Sequence, residues 1–105
     1  MTIKGLGLDI VSVERIRRLM ERPRFLQKVL TENERAFVKD PEFVAGRWAA
    51  KEALFKTGCG AKTFREVEIL PGESGKPEVV RPNGNFMVSI THEKQMAAAV
   101  VLWLA

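Results

Sequence analysis

Apolar residues recur along this chain with two spacings, one typical of strands and the other typical of helices. Near the start, Leu6, Leu8 and Ile10 alternate with glycines and with Asp9, which predicts a strand. From Ser12 onward the apolar residues recur at helical spacing, and this predicts three or four helices. In the second half the alternation returns in four further segments. This order of elements predicts an α+β domain in which helices pack on an antiparallel sheet.

Residues that cap or break helices indicate where each helix begins and ends. Ser12 is a candidate cap for the first helix, and Pro23 is a candidate first residue of a short second helix. Thr31 and Glu34 have the spacing of a capping box, which predicts another helix start. The last helix is expected to end where Gly58 can adopt the left-handed conformation of a C-cap.

The last predicted strand, Met96 to Leu104, has apolar side chains at nearly every position. Such a strand is buried on both faces, and we therefore expect it to be central in the sheet. Residues 82–85 (PNGN) predict a hairpin between the strands on either side of them. Helices in so short a chain can cover only one face of the sheet. The second face is expected to pack against another copy, and a ring of three copies would close without a free edge.

Residues 47–56 contain no glycine or proline and consist mainly of good helix formers, which predicts a helix. Its apolar residues lie on two roughly opposite sides, with Ala49, Ala50, Ala53 and Leu54 on one side and Trp48 and Phe55 on the other. Glu52 lies between these sides, and Lys56 follows it by one turn. This spacing has two interpretations, an exposed i,i+4 ion pair or a metal-binding acid beside a phosphate-binding lysine.

Composition, charge and cysteine count narrow the class of protein. A length of 105 residues predicts one domain, residues 1–105, and 46% hydrophobic with 29% charged residues is typical of a soluble globular protein. The net charge of +4 favours an anionic partner such as nucleic acid, a phosphorylated small molecule or an acidic protein. Cys59 is the only cysteine, so no internal disulfide is expected. No apolar run is long enough for a membrane-spanning helix, and we expect a cytoplasmic protein.

Asp9 and Glu52 are the candidate metal ligands. Two carboxylates without a neighbouring histidine or cysteine suit a hard cation such as Mg²⁺, which completes its coordination with water and phosphate oxygens. A phosphate-containing substrate is therefore expected. His92 is the only histidine and is either a structural residue or a ligand contact. Gly5 and Gly7 either leave room beside Asp9 or allow another backbone to pack closely.

Four short segments of this chain match the motifs of a known enzyme family. Residues 5–11 (GLGLDIV) are similar to a G-x-G-x-D-I-V opening, and residues 47–56 (RWAAKEALFK) to R-[FW]-A-A-K-E-A-x-x-K. Residues 75–77 and 89–92 match G-K-P and S-[IL]-[ST]-H. The family is the holo-acyl-carrier-protein synthases, the small bacterial type of 4′-phosphopantetheinyl transferase. Each motif alone is weak, but four in this order in a chain of family length form a specific resemblance.

The resemblance implies an enzyme that moves the 4′-phosphopantetheine arm of coenzyme A, its co-substrate, onto a serine hydroxyl of apo acyl carrier protein. Adenosine 3′,5′-bisphosphate is released. It implies that Asp9 and Glu52 bind Mg²⁺ against the pyrophosphate, and that Lys56 adds positive charge there. The serine proton has two candidate acceptors, a carboxylate and a metal-bound water, and we favour Glu52 acting through water.

The resemblance also assigns residues to the two substrates and predicts an assembly. Contacts with coenzyme A are expected from Arg47, Lys51, Lys56, Gly58, Gly60 and His92. Arg15 and Arg18 are expected to meet the acidic surface of the carrier protein. Family members form trimers with active sites between subunits, and the resemblance implies a homotrimer here. This sequence departs from the family in having Leu8 before the aspartate and a slightly shorter segment after Lys56.

Two rival hypotheses follow from the residues alone. A small basic module that binds RNA or another polyanion would explain the net charge of +4 and the arginine-rich first helix. It leaves Glu52 without a role, and the sequence has no stripe of aromatic residues for base stacking. An inactive homologue acting as a scaffold would not need to retain Asp9, Glu52 and Lys56. We therefore expect an enzyme with neither a nucleic-acid nor a membrane partner.

Overall fold

The computed structural model describes residues 2–105, and within this range the chain forms five strands and four helices. The strands are β1 (Ile3–Ser12), β2 (Glu68–Pro71), β3 (Pro77–Arg81), β4 (Asn85–His92) and β5 (Met96–Leu104). The helices are α1 (Val13–Met20), α2 (Phe25–Val29), α3 (Glu32–Arg35) and α4 (Pro41–Lys56), followed by a 3-10 turn at Phe64–Glu66. The predicted order of elements is confirmed. Among these residues, no helix is both long and apolar enough to cross a bilayer.

β5 is the central strand of a three-stranded antiparallel sheet with the order β1-β5-β4, as its apolar sequence predicts. β2 and β3 form a separate two-stranded antiparallel sheet. The predicted hairpin at residues 82–85 is therefore wrong, because β3 and β4 belong to different sheets. Pro82 follows β3 directly and has no N–H to donate to a ladder between the two strands.

The starts of the helices follow their capping residues. Ser12 Oγ accepts a hydrogen bond from the third residue of α1, so the predicted cap is confirmed. The predicted capping box is also present, with Thr31 and Glu34 each accepting a bond from the other's backbone N–H. α2 begins later than the predicted Pro23, because Arg24 has a left-handed φ of 63° that is incompatible with a helix interior.

Helix α4 lies against β1 at a distance that only glycine permits. A Cβ atom built on Gly7 would lie 1.7 Å from the Ala53 carbonyl oxygen, and one on Gly5 would lie 2.1 Å from that of Thr57. Close backbone packing is therefore the interpretation of these glycines that the structure supports. Because α4 comes this close to β1, the side chain of its last residue, Lys56, reaches Asp9.

The sheet face opposite α4 is apolar and largely exposed. Leu6, Leu8 and Ile10 of β1 and Met87 of β4 are each 50 to 64% exposed. Half-buried Leu102 of β5 adjoins Leu6 and Met87 in a groove of about 520 Å³. Burying one large apolar side chain stabilises by about 1.5 to 3 kcal/mol, so covering this face with another molecule would be favourable.

Candidate active site

Asp9, Glu52 and Lys56 come together where the C-terminal half of α4 crosses β1. The Lys56 ammonium donates hydrogen bonds to the Leu8 carbonyl oxygen at 2.9 Å and to Asp9 Oδ1 at 3.2 Å. The Lys56 side chain is 54% exposed and that of Asp9 is 16% exposed. An ammonium group has three donors, so one N–H remains for an anionic ligand beyond the two acceptors that residues 2–105 supply.

The negative charge of Glu52 is unfavourable in this place. Burial raises the pKa of Glu52 above its usual range, the charge of Asp9 raises it further, and Lys56 and Arg15 act in the opposite direction. Among residues 2–105, the ion pairs include Lys56 with Asp9 but none between Lys56 and Glu52. The exposed i,i+4 ion pair considered as the alternative is therefore not formed.

Two carboxylates that repel each other are a suitable donor set for Mg²⁺. Burial is the larger cause of the raised pKa of Glu52 and the charge of Asp9 adds to it, and a divalent cation held by both carboxylates would offset that repulsion. No group of three His, Cys, Asp or Glu side chains comes together in the described part of the chain. Mg²⁺ commonly takes one or two carboxylates and completes its octahedral shell with water and substrate oxygens. The residues present therefore fit Mg²⁺.

Arg47 and His92 line a cleft of about 780 Å³ elsewhere on the molecule. Its walls include residues 36–39 and the β2–β3 hairpin, and α4 and β4 complete it. The structure thus brings these two predicted coenzyme contacts together. It places them at the β4 edge of the sheet, with β5 between them and Asp9 on β1.

The Arg47 side chain is held in a fixed position at this cleft. Its Nε donates to the Ile69 carbonyl oxygen at 3.1 Å, and its guanidinium carbon lies 4.5 Å from the centre of the Phe43 ring. Burial lowers the pKa of Arg47, and attraction to Glu34 opposes this effect. The guanidinium is therefore a prepositioned cation at the cleft wall.

The predicted coenzyme contact of Lys51 is contradicted by the structure. Its side chain is fully buried, and its ammonium donates to Glu34 Oε1 at 2.6 Å, to the Val29 carbonyl at 2.9 Å and to the Phe64 carbonyl at 3.0 Å. Burial lowers the pKa of Lys51, against the opposing attraction of Glu34. Because all three donors are engaged inside the protein, Lys51 joins α4 to three other segments and has no donor left for a ligand.

Glu34 has more partners than its predicted place in a capping box implies. Its Oε1 accepts from the Thr31 N–H at 2.8 Å as well as from Lys51, and its Oε2 accepts from the Ile69 N–H at 2.7 Å. The sequence feature that could have indicated this role of Glu34 is Lys51, because a lysine buried in a protein interior needs a negatively charged partner. The sequence does not indicate which of its 13 acidic residues supplies that anion.

The remaining predicted site residues lie on the surface around α4 and α1. Gly58 and Gly60 follow α4 with left-handed φ values of 82° and 102°, and both are exposed. Their predicted contact with coenzyme phosphates stays a prediction. Arg18 is exposed on α1 and lies 3.4 Å from Glu14. Arg15 lies over the Trp48 ring and close enough to Glu52 to lower its pKa. The basic residues of α1 therefore extend to the site of Asp9 and Glu52.

Comparison with known proteins identifies the family. A family model described as the 4′-phosphopantetheinyl transferase superfamily matches residues 5–101. The chain belongs to this superfamily. The transferase is 46% identical to the holo-[acyl-carrier-protein] synthase of Listeria monocytogenes, over 95% of this chain and 97% of that protein. It is 42% identical to the synthase of Anoxybacillus flavithermus, over 95% and 94% of the two chains. The predicted class of enzyme is thereby confirmed.

Solved structures of such synthases have the same fold as this transferase. The synthase of Bacillus anthracis in complex with CoA (3′,5′-ADP) has a TM-score of 0.91 at 34% identity, covering 100% of this chain and 99% of that one. The synthase of Helicobacter pylori in complex with coenzyme A has a TM-score of 0.86 at 27% identity, covering 93% and 98%. These similarities confirm the predicted α+β architecture.

Proposed function

We propose that this transferase moves the 4′-phosphopantetheine arm of coenzyme A onto a serine hydroxyl of apo acyl carrier protein, with Mg²⁺ as cofactor and in the cytoplasm. The serine oxygen bonds to the phosphorus that carries the pantetheine arm. The bond from that phosphorus to the bridging oxygen breaks, and adenosine 3′,5′-bisphosphate leaves. The carrying observation is the cluster of Asp9, Glu52 and Lys56. The synthase names of the relatives and the coenzyme in the related structures support the two substrates.

Asp9 and Glu52 would hold Mg²⁺ beside the coenzyme's pyrophosphate. When bound, Mg²⁺ offsets the charge that develops on the leaving phosphate. Lys56 adds a fixed positive charge to the same phosphates through its remaining N–H. Its bonds to Asp9 and to the Leu8 carbonyl hold the ammonium in place. Little reorganisation is therefore needed during the reaction.

Glu52 is our candidate for the group that accepts the serine proton. It lies in the same cluster as Asp9 and Lys56, beside the proposed position of the pyrophosphate, so a single water can connect it to the incoming serine. An intervening water would carry the proton from the serine hydroxyl to the Glu52 carboxylate.

We infer that coenzyme A also occupies the cleft lined by Arg47 and His92, and that the complete site forms between subunits. The cleft lies at the β4 edge of the sheet, whereas Asp9 lies on β1 at the other edge. Copies that meet with the β4 edge of one near β1 of the next would bring the two parts together. The exposed apolar sheet face supplies a surface for this contact. A homotrimer closes such a heterologous contact into a ring.

The basic surface of α1 is the proposed docking surface for the acidic carrier protein. Arg15 and Arg18 are both exposed there, and Arg15 is close to Glu52. Charge complementarity at this place would guide the carrier's serine toward the acid cluster.

Mass spectrometry tests the proposed reaction directly. Apo carrier protein is incubated with this protein, coenzyme A and Mg²⁺, and a mass gain equal to one phosphopantetheine group is expected. Omission of Mg²⁺ and the Asp9→Ala variant serve as controls, and neither should give the product. An unmodified carrier after prolonged incubation with the wild-type protein would refute the proposal.

A further inference from the structure

The two walls of the cleft belong to different parts of the chain. One wall is residues 36–39, directly after α3, and the other includes Pro71 and Pro77 of the β2–β3 hairpin. Arg47 of α4 and His92 of β4 also line the cleft. The spacing of the walls therefore depends on the contacts that join α3 to β2.

Glu34 makes this connection with the two oxygens of one buried carboxylate. Oε1 accepts from the Lys51 ammonium at 2.6 Å and from the Thr31 N–H of the capping box. Oε2 accepts from the Ile69 N–H in β2 at 2.7 Å. The carbonyl of Ile69 accepts from Arg47 Nε at 3.1 Å. The backbone of Ile69 is thus held from two sides, by Glu34 and by Arg47.

We propose that Glu34 is a positioning residue for the coenzyme: by holding α3 and Ile69 together it sets the width of the cleft and places the Arg47 guanidinium at its wall. This inference rests on the proposed function, because it takes coenzyme A to be the occupant of the cleft. Glu34 is 1% exposed and touches no substrate itself. Its effect on binding is therefore transmitted through Ile69 and Arg47.

Glutamine has the same shape as glutamate but cannot make all the hydrogen bonds of Glu34. An amide has one acceptor oxygen, so Lys51 and the Ile69 N–H can no longer both be satisfied. Lys51 is charged and keeps the oxygen, which leaves the amide NH₂ group against the Ile69 N–H. The hairpin wall should therefore move away from α3 in Glu34→Gln.

Steady-state kinetics of Glu34→Gln separate positioning from simple stability. We expect the KM for coenzyme A to rise by at least about tenfold, the scale of one lost hydrogen bond to a charged group. The kcat at saturating coenzyme and the KM for carrier should stay near those of the wild type, because Asp9, Glu52 and α1 are not held by Glu34. Glu32→Gln is the matched control, since it removes the same charge from an exposed position of the same helix.

A purely structural Glu34 would give a different pattern. The melting temperature and the active fraction would fall, so that kcat per milligram decreases while both KM values stay unchanged. That result would overturn the proposal.

A double variant addresses the case in which Glu34→Gln does not fold. Glu34→Leu with Lys51→Met replaces the buried ion pair by apolar groups of similar volume, so that neither charge is left buried without its partner. It still removes the connection to Ile69, so the KM for coenzyme A should remain raised by at least about tenfold. A stable double variant with the wild-type KM would also overturn the proposal.

Amide hydrogen exchange of the wild-type protein provides a test without substitution. Coenzyme A should slow exchange at the Ile69 N–H, because a ligand held between the walls stabilises the closed connection. Binding of coenzyme A without any change at Ile69 would overturn this inference and leave the proposed function intact. Failure of the wild-type protein to bind coenzyme A would overturn the proposed function as well.

Discussion

Helix α4 carries two lysines, Lys51 and Lys56, in opposite circumstances. The Lys51 side chain is 0% exposed, and its ammonium lies 2.6 Å from Glu34 with two carbonyl oxygens completing its contacts. The Lys56 side chain is 54% exposed and lies 3.2 Å from Asp9. A charge whose donors are all used inside the protein stabilises the fold, whereas a charge with an open side and a remaining donor is available to a ligand.

The acids near the two lysines differ in the same way. Glu34 accepts hydrogen bonds from Lys51 and from two backbone N–H groups. Glu52 is opposed both by burial and by the charge of Asp9, which raises its pKa. A carboxylate whose oxygens are fully hydrogen-bonded, like Glu34, stabilises the fold. A carboxylate whose pKa is perturbed by burial and by a like charge, like Glu52, is typical of a functional site.

The largest effect is expected from removing either acid of the cluster formed by Asp9, Glu52 and Lys56. Asp9→Ala and Glu52→Ala should each lower kcat/KM for transfer by about 100-fold or more, because each removes one of two carboxylates proposed to hold Mg²⁺. Circular dichroism and thermal melting should show a folded protein in both cases. Wild-type transfer by either variant would show that its acid is not needed at the site.

The two lysines should separate stability from activity. Lys51→Met leaves Glu34 buried without its cation and should lower the free energy of unfolding by about 3 to 5 kcal/mol. Lys56→Met should lower it by only about 0 to 1 kcal/mol, since its ion pair is partly exposed, yet it should lose most transfer activity. Urea denaturation and transfer assays of both variants check this, and the opposite order of stabilities would contradict the comparison.

The contacts of Lys51 and Glu34 are complete within one chain. The site around Asp9, Glu52 and Lys56 is instead proposed to be completed by a neighbouring subunit. Leu102→Glu places a charge in the apolar groove of the outer sheet face. Light scattering should then show smaller particles, and transfer should fall with them. Val80→Glu is the control, because Val80 is an exposed apolar residue of β3, outside the sheet that carries this face. A wild-type protein that is monomeric and fully active at micromolar concentration would refute the trimer.

Charge reversal on α1 should weaken the carrier and not the coenzyme. Arg18→Glu should raise the KM for carrier by up to about fivefold, the upper range for one exposed ion pair, and raising salt should mimic it. Arg15→Glu should in addition alter kcat, because the charge of Arg15 acts on Glu52. Arg65→Glu, an exposed change on the 3-10 turn, is the control. An unchanged KM for carrier in both α1 variants would remove this surface from the proposal.

The smallest expected effect is that of Glu52 ionisation on the stability of the protein as pH changes. Folding raises the pKa of Glu52, so its ionisation costs folding free energy as pH rises from the unfolded pKa to the folded one. Without Mg²⁺, Glu52→Gln should therefore melt like the wild type in acid and at a higher temperature at neutral pH. Added Mg²⁺ should raise the melting temperature of the wild type only. A variant that melts below the wild type at neutral pH would identify Glu52 as a structural partner.

Local patterns were sufficient to predict most elements but not how all of them pair. Ser12, Thr31 and the apolar run of β5 act on their own neighbours, and each of these predictions is confirmed. The turn at residues 82–85 also has a clear local signal. Which strands pair is decided by the rest of the molecule, and β3 pairs with β2 instead.

The same limit explains which site residues were predicted. Asp9, Glu52 and Lys56 belong to motifs, and the structure brings them together. Lys51 lies in the same motif, but its burial depends on Val29, Glu34 and Phe64, which come from three other segments. A motif identifies residues that matter without distinguishing those that bind substrate from those that hold the fold.

The position of β1 at the edge of its sheet has a consequence for the order of folding. Asp9 lies on β1, and its hydrogen-bonded neighbour in the sheet is β5, where Ala99 is opposite Asp9. During synthesis the helices can form early, whereas the pairing of β1 with β5 spans almost the whole chain and must wait until β5 has been made. We therefore expect a chain that stops before β5 to lack transfer activity, because β1 then has no partner strand to hold Asp9 in place.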